Sequence, residues 1–316
     1  MSAINSQPSK IDRSGDLRGK PETLALLEST ARFLVISDGF ISATQDSSAL
    51  RFLTQAEMNE SVAEENFEKG EIYFLGIEPA NSQSYFAWST HATKPVIEGQ
   101  RLDGFTTLRE IGANLHDLHS ELALHAIALT NWHHTHPRCA KCGAPTRVDF
   151  GGAVRVCDQD GSQHHPRTDS AVIVLVRDND DRILLGHQPI WPEGRYSCFA
   201  GFLEPGETFE QCVSREVLEE SGVRVRDINY LGSQPWPFPA SIMISFEAIT
   251  DAPDEARPDG SEITEVKWFT RAELKTATED GSLLLPPSMS VARKMIERWF
   301  ALGDGSTLTG GETWRP

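Results

Sequence analysis

The sequence predicts a chain of mixed α and β structure: an N-terminal α+β domain (residues 1–136), a small cysteine-rich linker (137–168), a further domain (169–302) and a tail (303–316). Three observations support this prediction. The length of 316 residues exceeds that of one ordinary domain. Short apolar runs typical of strands alternate with stretches of helical periodicity. Finally, three of the five cysteines fall within the linker.

The composition excludes several classes of protein. The chain has 29 Lys and Arg against 46 Asp and Glu, a formal net charge of −17, which disfavours duplex DNA because such binding depends on neutralising phosphates. No run approaches the roughly 18 apolar residues of a membrane span, so we expect no membrane association. Because the first residues also lack the apolar core of a secretion signal, we expect a cytoplasmic protein.

In the first domain, apolar runs rich in β-branched and aromatic residues predict strands at Phe33–Ile36 and Ile72–Ile77. The first 20 residues are polar and are expected to fray. From Leu108 to Trp132, apolar residues recur at spacings of three and four, which predicts helix with one buried stripe.

The linker contains a Cys-x₂-Cys pair followed, after fourteen residues, by Cys-x₂-Asp. This spacing is typical of a zinc ribbon. Histidines at 164 and 165 are alternatives to the aspartate as fourth ligand, and a small metal-free hairpin is the other interpretation of the segment. The predicted ligands of a structural zinc ion are Cys139, Cys142, Cys157 and Asp160.

The next domain begins with a buried-strand run at Ala171–Val176, followed by a hairpin partner at Ile183–Leu185. Cys198 and Cys212 are expected to be small packing residues. The later predicted elements are strands at Ser197–Phe202, Ser241–Phe246 and Val266–Phe269, and a closing amphipathic helix from Val291 to Phe300.

A helix in this domain has signals at both ends. Thr208 and Gln211 form a capping-box pattern and Gly222 is a C-cap residue, so the prediction is a helix over Phe209–Ser221. A row of carboxylates falls on one face of this helix, because its members occupy positions i, i+3 and i+4. They are Glu216, Glu219 and Glu220. A solvated acidic face is one interpretation; the other is a site for Mg²⁺ or Mn²⁺, which prefer oxygen ligands.

The whole segment, GFLEPGETFEQCVSREVLEESGV, resembles the Nudix box at each fixed position. The resemblance implies a Nudix hydrolase, an α/β/α sandwich that cleaves a diphosphate linked to another moiety. It further implies that Glu216, Glu219 and Glu220 bind catalytic divalent cations or assist deprotonation of water. Arg215 and Glu207 would pair to hold the loop against the helix.

Ten residues beyond the box stands SQPWPFPAS. Its prolines exclude a regular central strand or helix, and its aromatic residues suit stacking on a base or a nicotinamide ring. A loop whose aromatic residues cover the core is the alternative. The segment resembles the signature of the NADH pyrophosphatase branch of the Nudix family. The substrate contacts implied by the resemblance are Gln234, Pro235, Trp236, Pro237, Phe238, Pro239, Ala240 and Ser241.

This resemblance implies further site residues. A fourth acidic ligand is expected at Glu262, with Glu265 as the alternative, and the backbone carbonyl of Ala200 is expected to bind the metal. His165 stands where the branch has a substrate-contacting tyrosine. Ala292 aligns with a substrate contact, although a buried helical alanine is the other interpretation. In the linker, an aspartate stands where the branch usually has its fourth cysteine.

The branch resemblance implies a homodimer that hydrolyses NADH and NAD⁺ to nicotinamide mononucleotide and AMP, with Mg²⁺ or Mn²⁺ in catalysis and Zn²⁺ in the ribbon. Members of the branch also remove NAD caps from RNA 5′ ends, so a capped RNA end is a further predicted substrate. The alternatives are a hydrolase mainly of NAD-capped RNA or ADP-ribose, and a non-catalytic dinucleotide sensor. The intact row of carboxylates weighs against the sensor, because a pure binder has no need of their mutual repulsion.

Overall fold

The structure, a computed structural model, describes residues 4, 5, 7–64, 67–92 and 104–308. Parts of three predicted segments lie outside the described residues: 1–3 and 6 of the polar leader, 65, 66 and 93–103 of the first domain, and 309–316 of the tail. The described chain forms two compact units. The N-terminal unit comprises 7–168 with 237–240, and the C-terminal unit comprises 169–236 with the described parts of 1–6 and 241–316. The division into four segments stays a prediction.

The N-terminal unit contains a sheet in the order β4-β5-β1-β2-β6, in which β1 and β5 are parallel and β3 pairs with β1. A second, three-stranded sheet in the order β7-β8-β9 forms the ribbon segment. Its helices are α1 (Pro21–Glu28), α2 (Gln55–Ala63), α3 (Leu108–Ile111) and α4 (Asp117–Thr135). Its strands are β1 (Arg32–Ser37), β2 (Phe40–Ser42), β3 (Phe52–Leu53), β4 (Glu71–Glu78), β5 (Gln83–Thr90), β6 (Phe105–Thr106), β7 (Thr146–Asp149), β8 (Val154–Cys157) and β9 (Gln163–His164).

Two expectations about this unit are corrected. The apolar stripe from Leu108 to Trp132 is interrupted, because α3 ends before Gly112 and α4 starts only at Asp117. The leader does not simply fray. Ile11 is buried in the core of the sheet, and Asp12 forms a bridge with Ile77. An apolar residue in a polar segment has no periodic neighbours, so the pattern of the sequence does not reveal its burial.

The C-terminal unit contains a sheet in the order β13-β14-β10-β11-β15, with β12 paired to β10. Strand β10 is parallel to β14 and antiparallel to β11 and β12. The strands are β10 (Asp169–Arg177), β11 (Ile183–His187), β12 (Phe199–Phe202), β13 (Arg226–Trp236), β14 (Ser241–Ile249) and β15 (Glu265–Phe269), and the helices are α5 (Phe209–Ser221), α6 (Arg271–Glu279) and α7 (Val291–Asp304).

Helices cover both faces of this sheet. Alternate residues of a strand point to opposite faces, so Val174 of β10 packs in the core that contains Val213 of α5. The adjacent Leu175 belongs to the core that contains Ile296 of α7. The mixed α+β class and the α/β/α sandwich are therefore confirmed. Within the described part of the chain, no helix combines the length and apolar character needed to cross a membrane.

Candidate functional site

The predicted carboxylate helix, α5, forms with the predicted ends. The Thr208 hydroxyl accepts a hydrogen bond from the backbone N–H of Gln211, whose side chain bonds back to the Thr208 N–H. Gly222 ends the helix with φ +72°, a left-handed conformation that glycine adopts without strain. The helix packs on the sheet through buried Cys212, Val213 and Val217, which leaves its acidic side chains beside β12.

Arg215 is the centre of a charged network at the start of this face. Its guanidinium donates to both carboxylate oxygens of Glu207, at 2.6 and 2.8 Å. It also donates to Glu216 at 2.8 Å and to Glu219 at 3.2 Å. A fifth hydrogen bond, at 3.1 Å, goes to the carbonyl of Phe202 on β12. The bidentate bond to Arg215 lowers the pKa of Glu207 to about 2, and the network ties the loop before α5 to the helix and the strand.

Glu220 lies deepest in the row. Its side chain is buried, and one carboxylate oxygen accepts a hydrogen bond from the Ala200 backbone N–H at 3.2 Å. Burial raises the pKa of Glu220 to about 8, and the negative charges of Glu216, Glu262 and Asp259 act in the same direction. Burial also raises the pKa of Glu216. Charge at these positions is therefore disfavoured unless a cation compensates it.

Gly201 explains how Glu216 reaches the strand. A Cβ atom at position 201 would lie 1.9 Å from the Glu216 carboxyl carbon, so any other residue there would displace this carboxylate. In the sequence, Gly201 is notable only as the first residue of the Nudix-box segment. The close approach joins residues on two different elements, and no local pattern signals it.

A loop before β15 brings in the fourth acidic residue. Asp259 accepts backbone N–H bonds from Glu262 at 3.0 Å and Ile263 at 2.6 Å, which fixes the loop and lowers the pKa of Asp259 to about 2. Glu262 then acts electrostatically on both Glu216 and Glu220. Glu265, the alternative, is part of β15 and accepts a hydrogen bond from Tyr196. The geometry favours Glu262, and no motif of the sequence marks Asp259 as the anchor of this loop.

We call Glu216, Glu219, Glu220 and Glu262 the acidic cluster. Glu219 is mostly exposed, whereas Glu216 is largely buried. Within the described ranges, no three of these carboxylates come within 4.8 Å of one another. Arg215 binds two of them, Glu216 and Glu219. The donor set nevertheless fits a hard divalent cation, because it offers carboxylate oxygens around a buried acidic group whose charge lacks compensation.

Two predicted substrate contacts, Gln234 and Ala292, support the fold of the C-terminal unit. The Gln234 amide donates to the carbonyl of Met289 at 2.6 Å and accepts the N–H of Val291 at 2.7 Å. It therefore fixes the start of α7 against β13. Ala292 is only 2% exposed and lies in the core, as its alternative interpretation states. A substrate contact for either residue stays a prediction.

The aromatic segment is partly strand. Pro235 and Trp236 extend β13 by pairing with Ile242 and Ser241 of β14. This agrees with the exclusion of a regular central strand, because β13 is at the edge of its sheet, where a proline is tolerated. The turn that follows, Pro237–Ala240, groups with the N-terminal unit.

Within the N-terminal unit, this turn has defined partners. The guanidinium of Arg109 lies 4.1 Å from the centre of the Phe238 ring, and Phe238 packs against the apolar core. The alternative interpretation, in which the aromatic residues cover the core, therefore holds for Phe238. The Asn131 side chain donates to the carbonyls of Pro237 and Pro239.

The predicted zinc ligands converge. The three cysteine sulfurs and one Asp160 oxygen all lie within 4.8 Å of one another, a donor set that fits a metal ion. We call this group the cysteine cluster: Cys139, Cys142, Cys157 and Asp160. The ring of His164 lies 3.3 Å from the Cys139 sulfur, outside the group, and His165 is exposed after β9. The structure thus favours Asp160 over either histidine as the fourth ligand.

Hydrogen bonds preorganise the cysteine cluster. The backbone N–H of Lys141 donates to the sulfur of Cys139 at 3.3 Å. The N–H groups of Gln159 and Asp160 donate to the sulfur of Cys157 at 3.4 and 3.5 Å. Hydrogen bonds to the sulfur of Cys139, the largest contribution coming from the Ser162 hydroxyl, lower the pKa of Cys139 to about 6. Cys198 and Cys212 are buried in the other unit, as predicted.

His133, in the last turn of α4, is buried. It is 3% exposed, stacks on Tyr73 with the ring centres 4.2 Å apart, and bonds through Nε2 to the Gly152 carbonyl at 2.8 Å. Its Nδ1 faces the buried guanidinium of Arg155 at 3.0 Å. Burial lowers the pKa of His133 to about 4, so the ring is neutral. Its partners are distant in the sequence, which is why helical periodicity alone missed them.

Comparisons with known proteins give consistent matches. Residues 167–286 match the family model described as the NUDIX domain. The chain is 44% identical over 223 residues to the NAD-capped RNA hydrolase NudC of Mycobacterium bovis (strain BCG / Pasteur 1173P2), which covers 68% of this chain and 71% of that protein. It is 43% identical over the same length to NudC of Mycobacterium tuberculosis (strain ATCC 25618 / H37Rv). The NAD-capped RNA hydrolase NUDT12 of Homo sapiens is 36% identical over 183 residues, 54% of this chain and 39% of that protein.

Proposed function

The chain belongs to the Nudix hydrolase family, in its NADH pyrophosphatase branch, and from this premise we propose that it hydrolyses the diphosphate of NADH and NAD⁺ to nicotinamide mononucleotide and AMP. The observation that supports the proposal most directly is the arrangement of α5: a buried Glu220 beside β12, with Glu216 and Glu219 held by Arg215. A hydrolase of a charged diphosphate needs such a set of oxygen ligands for a cation.

We propose that the acidic cluster and the Ala200 carbonyl hold Mg²⁺ or Mn²⁺, which when bound neutralises phosphate oxygens and activates water. The residues of the chain have separate tasks. Glu220, fixed by the Ala200 N–H, supplies a buried carboxylate at a set position. Arg215 and Glu207 orient Glu216 and Glu219 and hold the loop before α5 in place. A carboxylate of this cluster accepts the proton of the attacking water.

For the substrate, we propose that residues 234–241, His165 and Ala292 contact the dinucleotide. Support comes from the rigid anchoring of this segment by Gln234 at one end and by Asn131 at the other. An aromatic ring held in one orientation provides a stacking surface with little loss of conformational entropy. The match of this segment to the branch signature supports the nicotinamide dinucleotide as the ligand.

The relatives named NAD-capped RNA hydrolases favour a second substrate, the NAD-capped 5′ end of RNA. The net charge of −17 supports recognition of the cap with the first one or two nucleotides rather than of a long RNA tract. We also propose a structural zinc ion in the cysteine cluster, a homodimer and a cytoplasmic location. Sedimentation and metal analysis of the purified protein test the dimer and the zinc.

The experiment that tests the function measures kcat/KM on four substrates in Mg²⁺ and in Mn²⁺: NADH, NAD⁺, ADP-ribose and an NAD-capped oligonucleotide. We expect AMP from NADH and NAD⁺ and a 5′-monophosphate end on the oligonucleotide. Folded protein that binds NADH without releasing AMP would refute the proposal and favour a sensor. A clear preference for ADP-ribose would instead reassign the substrate.

A further inference from the structure

The turn Pro237–Ala240 lacks hydrogen-bond donors for its own carbonyl oxygens. Proline has no backbone N–H, so a turn with prolines at 237 and 239 has few donors of its own. Pro237 is buried, and an unpaired carbonyl that is shielded from water is destabilising, whereas Pro239 is exposed to solvent. The Pro237 carbonyl therefore needs a donor from elsewhere in the chain.

Asn131 of α4 supplies these donors. Its side-chain nitrogen lies 3.1 Å from the carbonyl oxygen of Pro237 and 3.2 Å from that of Pro239. An amide NH₂ group has two hydrogens, so one side chain satisfies both carbonyls at once. These carbonyls flank Phe238, and the two bonds therefore fix the backbone on both sides of its ring.

Asn131 lies on α4, a helix that is packed into the core of its unit. Its neighbours Leu129 and Trp132 on α4 are buried, and α4 packs on the main sheet of the N-terminal unit. Arg109 adds a second restraint, with its guanidinium 4.1 Å from the centre of the Phe238 ring. Asn131 is therefore a fixed point for the turn rather than a mobile surface group.

We propose that Asn131 is a positioning residue for the turn Pro237–Ala240 of the substrate-binding segment, and that its two hydrogen bonds raise the affinity of the protein for its dinucleotide. This inference rests on the proposed function of residues 234–241. Without the two hydrogen bonds, the turn spends less time in the conformation that binds substrate. Apparent affinity falls in proportion to that fraction, whereas chemistry at the acidic cluster is unchanged.

The test compares N131D with wild type. The substitution keeps the shape of the side chain, removes both donors and places a carboxylate against two carbonyl oxygens. We expect the KM for NADH to rise about tenfold with kcat within about twofold of wild type, the effect of losing one or two hydrogen bonds. The matched control is N114D, the same change on an exposed asparagine of the same unit that makes one long bond of 3.5 Å. An unchanged KM, or a loss confined to kcat, overturns the inference.

The pH dependence of KM distinguishes positioning from a general loss of structure. The carboxyl group that N131D introduces regains one O–H donor when it is protonated, and facing carbonyl oxygens raise its pKa. We therefore expect the ratio of KM values, N131D over wild type, to shrink between pH 7 and pH 5. In N131A the ratio should be elevated and independent of pH, and this variant also serves if N131D does not fold. A ratio for N131D as constant as that for N131A would contradict the proposal.

The outcomes separate the two proposals. If wild-type protein releases no AMP from any dinucleotide, the proposed function fails and the KM comparison is replaced by the Kd for NADH, which must still rise about tenfold in N131D. If wild type is active and N131D binds NADH normally, the function stands and the positioning role of Asn131 is wrong.

Discussion

The acidic cluster and the cysteine cluster are both proposed to hold metal, yet they are built in opposite ways. The ligand atoms of the cysteine cluster already lie within 4.8 Å of one another, in a small sheet of short strands. The carboxylates of the acidic cluster stand apart, and Arg215 holds two of them. A preformed set of ligands suits a metal that stabilises a fold, whereas an open set leaves room for a substrate beside the metal.

The difference has a chemical origin. Thiolates can be brought together by backbone N–H donors within tight turns, as at Cys139 and Cys157. Carboxylates that carry full charge repel one another, so their positions require an opposite charge or burial. In this protein Arg215 supplies the charge and β12 supplies the burial. We therefore expect the carboxylates of the acidic cluster to move when a cation binds, whereas the ligand atoms of the cysteine cluster are already close together.

The largest expected effect is on the acidic cluster. E220Q keeps the size of the buried side chain and removes its charge, so kcat should fall about a thousandfold or more if Glu220 is a catalytic ligand. Thermal unfolding should change little, because a buried carboxylate with an uncompensated charge is replaced by a neutral amide. The control is E210Q, on the exposed first turn of α5. Near-normal turnover by E220Q would contradict the catalytic role proposed for Glu220 in the acidic cluster.

The cysteine cluster is tested next, with two aspartates of the same turn. D160N removes the proposed fourth ligand, so we expect zinc affinity to fall about 10- to 100-fold in competition with a chelator, with kcat on NADH nearly unchanged at saturating zinc. D158N is the control, because Asp158 pairs with Arg147 at 3.1 Å and is outside the group of ligands. Equal zinc affinities in the two variants would remove Asp160 from the site.

Acid should weaken the unit that contains the cysteine cluster. The pKa of His133 is about 4 in the folded chain and near 6.5 when unfolded, so its contribution is full above pH 6.5 and is lost as pH falls toward 4. At pH 5 the loss is about 2 kcal/mol of the free energy of unfolding, relative to its value well above pH 6.5. Urea unfolding at pH 7 and pH 5 measures it. H133Q should show the shallower dependence on pH, and H134Q, at an exposed neighbour, should retain that of wild type.

The smallest expected effect concerns Gly201. G201A forces the Glu216 carboxylate away from β12, because the new Cβ would lie 1.9 Å from the carboxyl carbon. We expect kcat to fall about tenfold with the KM for NADH preserved, since one ligand of several is displaced. G15A is the control, as no atom lies within 4 Å of a Cβ at that position. If G201A retained full turnover, the exact position of Glu216 would not matter to the reaction.

What the sequence predicts well is set locally. Helix α5 is predicted over Phe209–Ser221 and observed there, because the capping box and Gly222 define both ends. The hairpin of β10 and β11 is likewise predicted from adjacent apolar runs and the polar turn between them. The carboxylate row follows from helical spacing alone. Such features depend only on residues within a few positions of one another.

What the sequence does not predict depends on distant partners. The side-chain amide of Gln234 forms hydrogen bonds with residues 55 and 57 positions further along the chain, so its role at the start of α7 has no local signal. His133 is buried by Tyr73 and Arg155, which belong to other elements. The break between α3 and α4 arises although the apolar spacing continues across it. For the same reason the resemblance names the site residues, while the hydrogen bonds that hold them come only from the fold.

One contact at the sheet edge bears on the behaviour of the protein in concentrated solution. The N–H of Ile4 bonds to the Leu231 carbonyl at 2.7 Å, and Ile4 forms a parallel bridge with Gly232 of β13. Among the described residues, β13 is an edge strand of its sheet, and open edges invite pairing with strands of neighbouring molecules. Gly232 permits the contact, since a Cβ there would lie 2.3 Å from the Ile4 carbonyl oxygen. Ile4 thus covers part of this edge and opposes strand pairing with a neighbouring molecule there, and a side chain at position 232 would displace it.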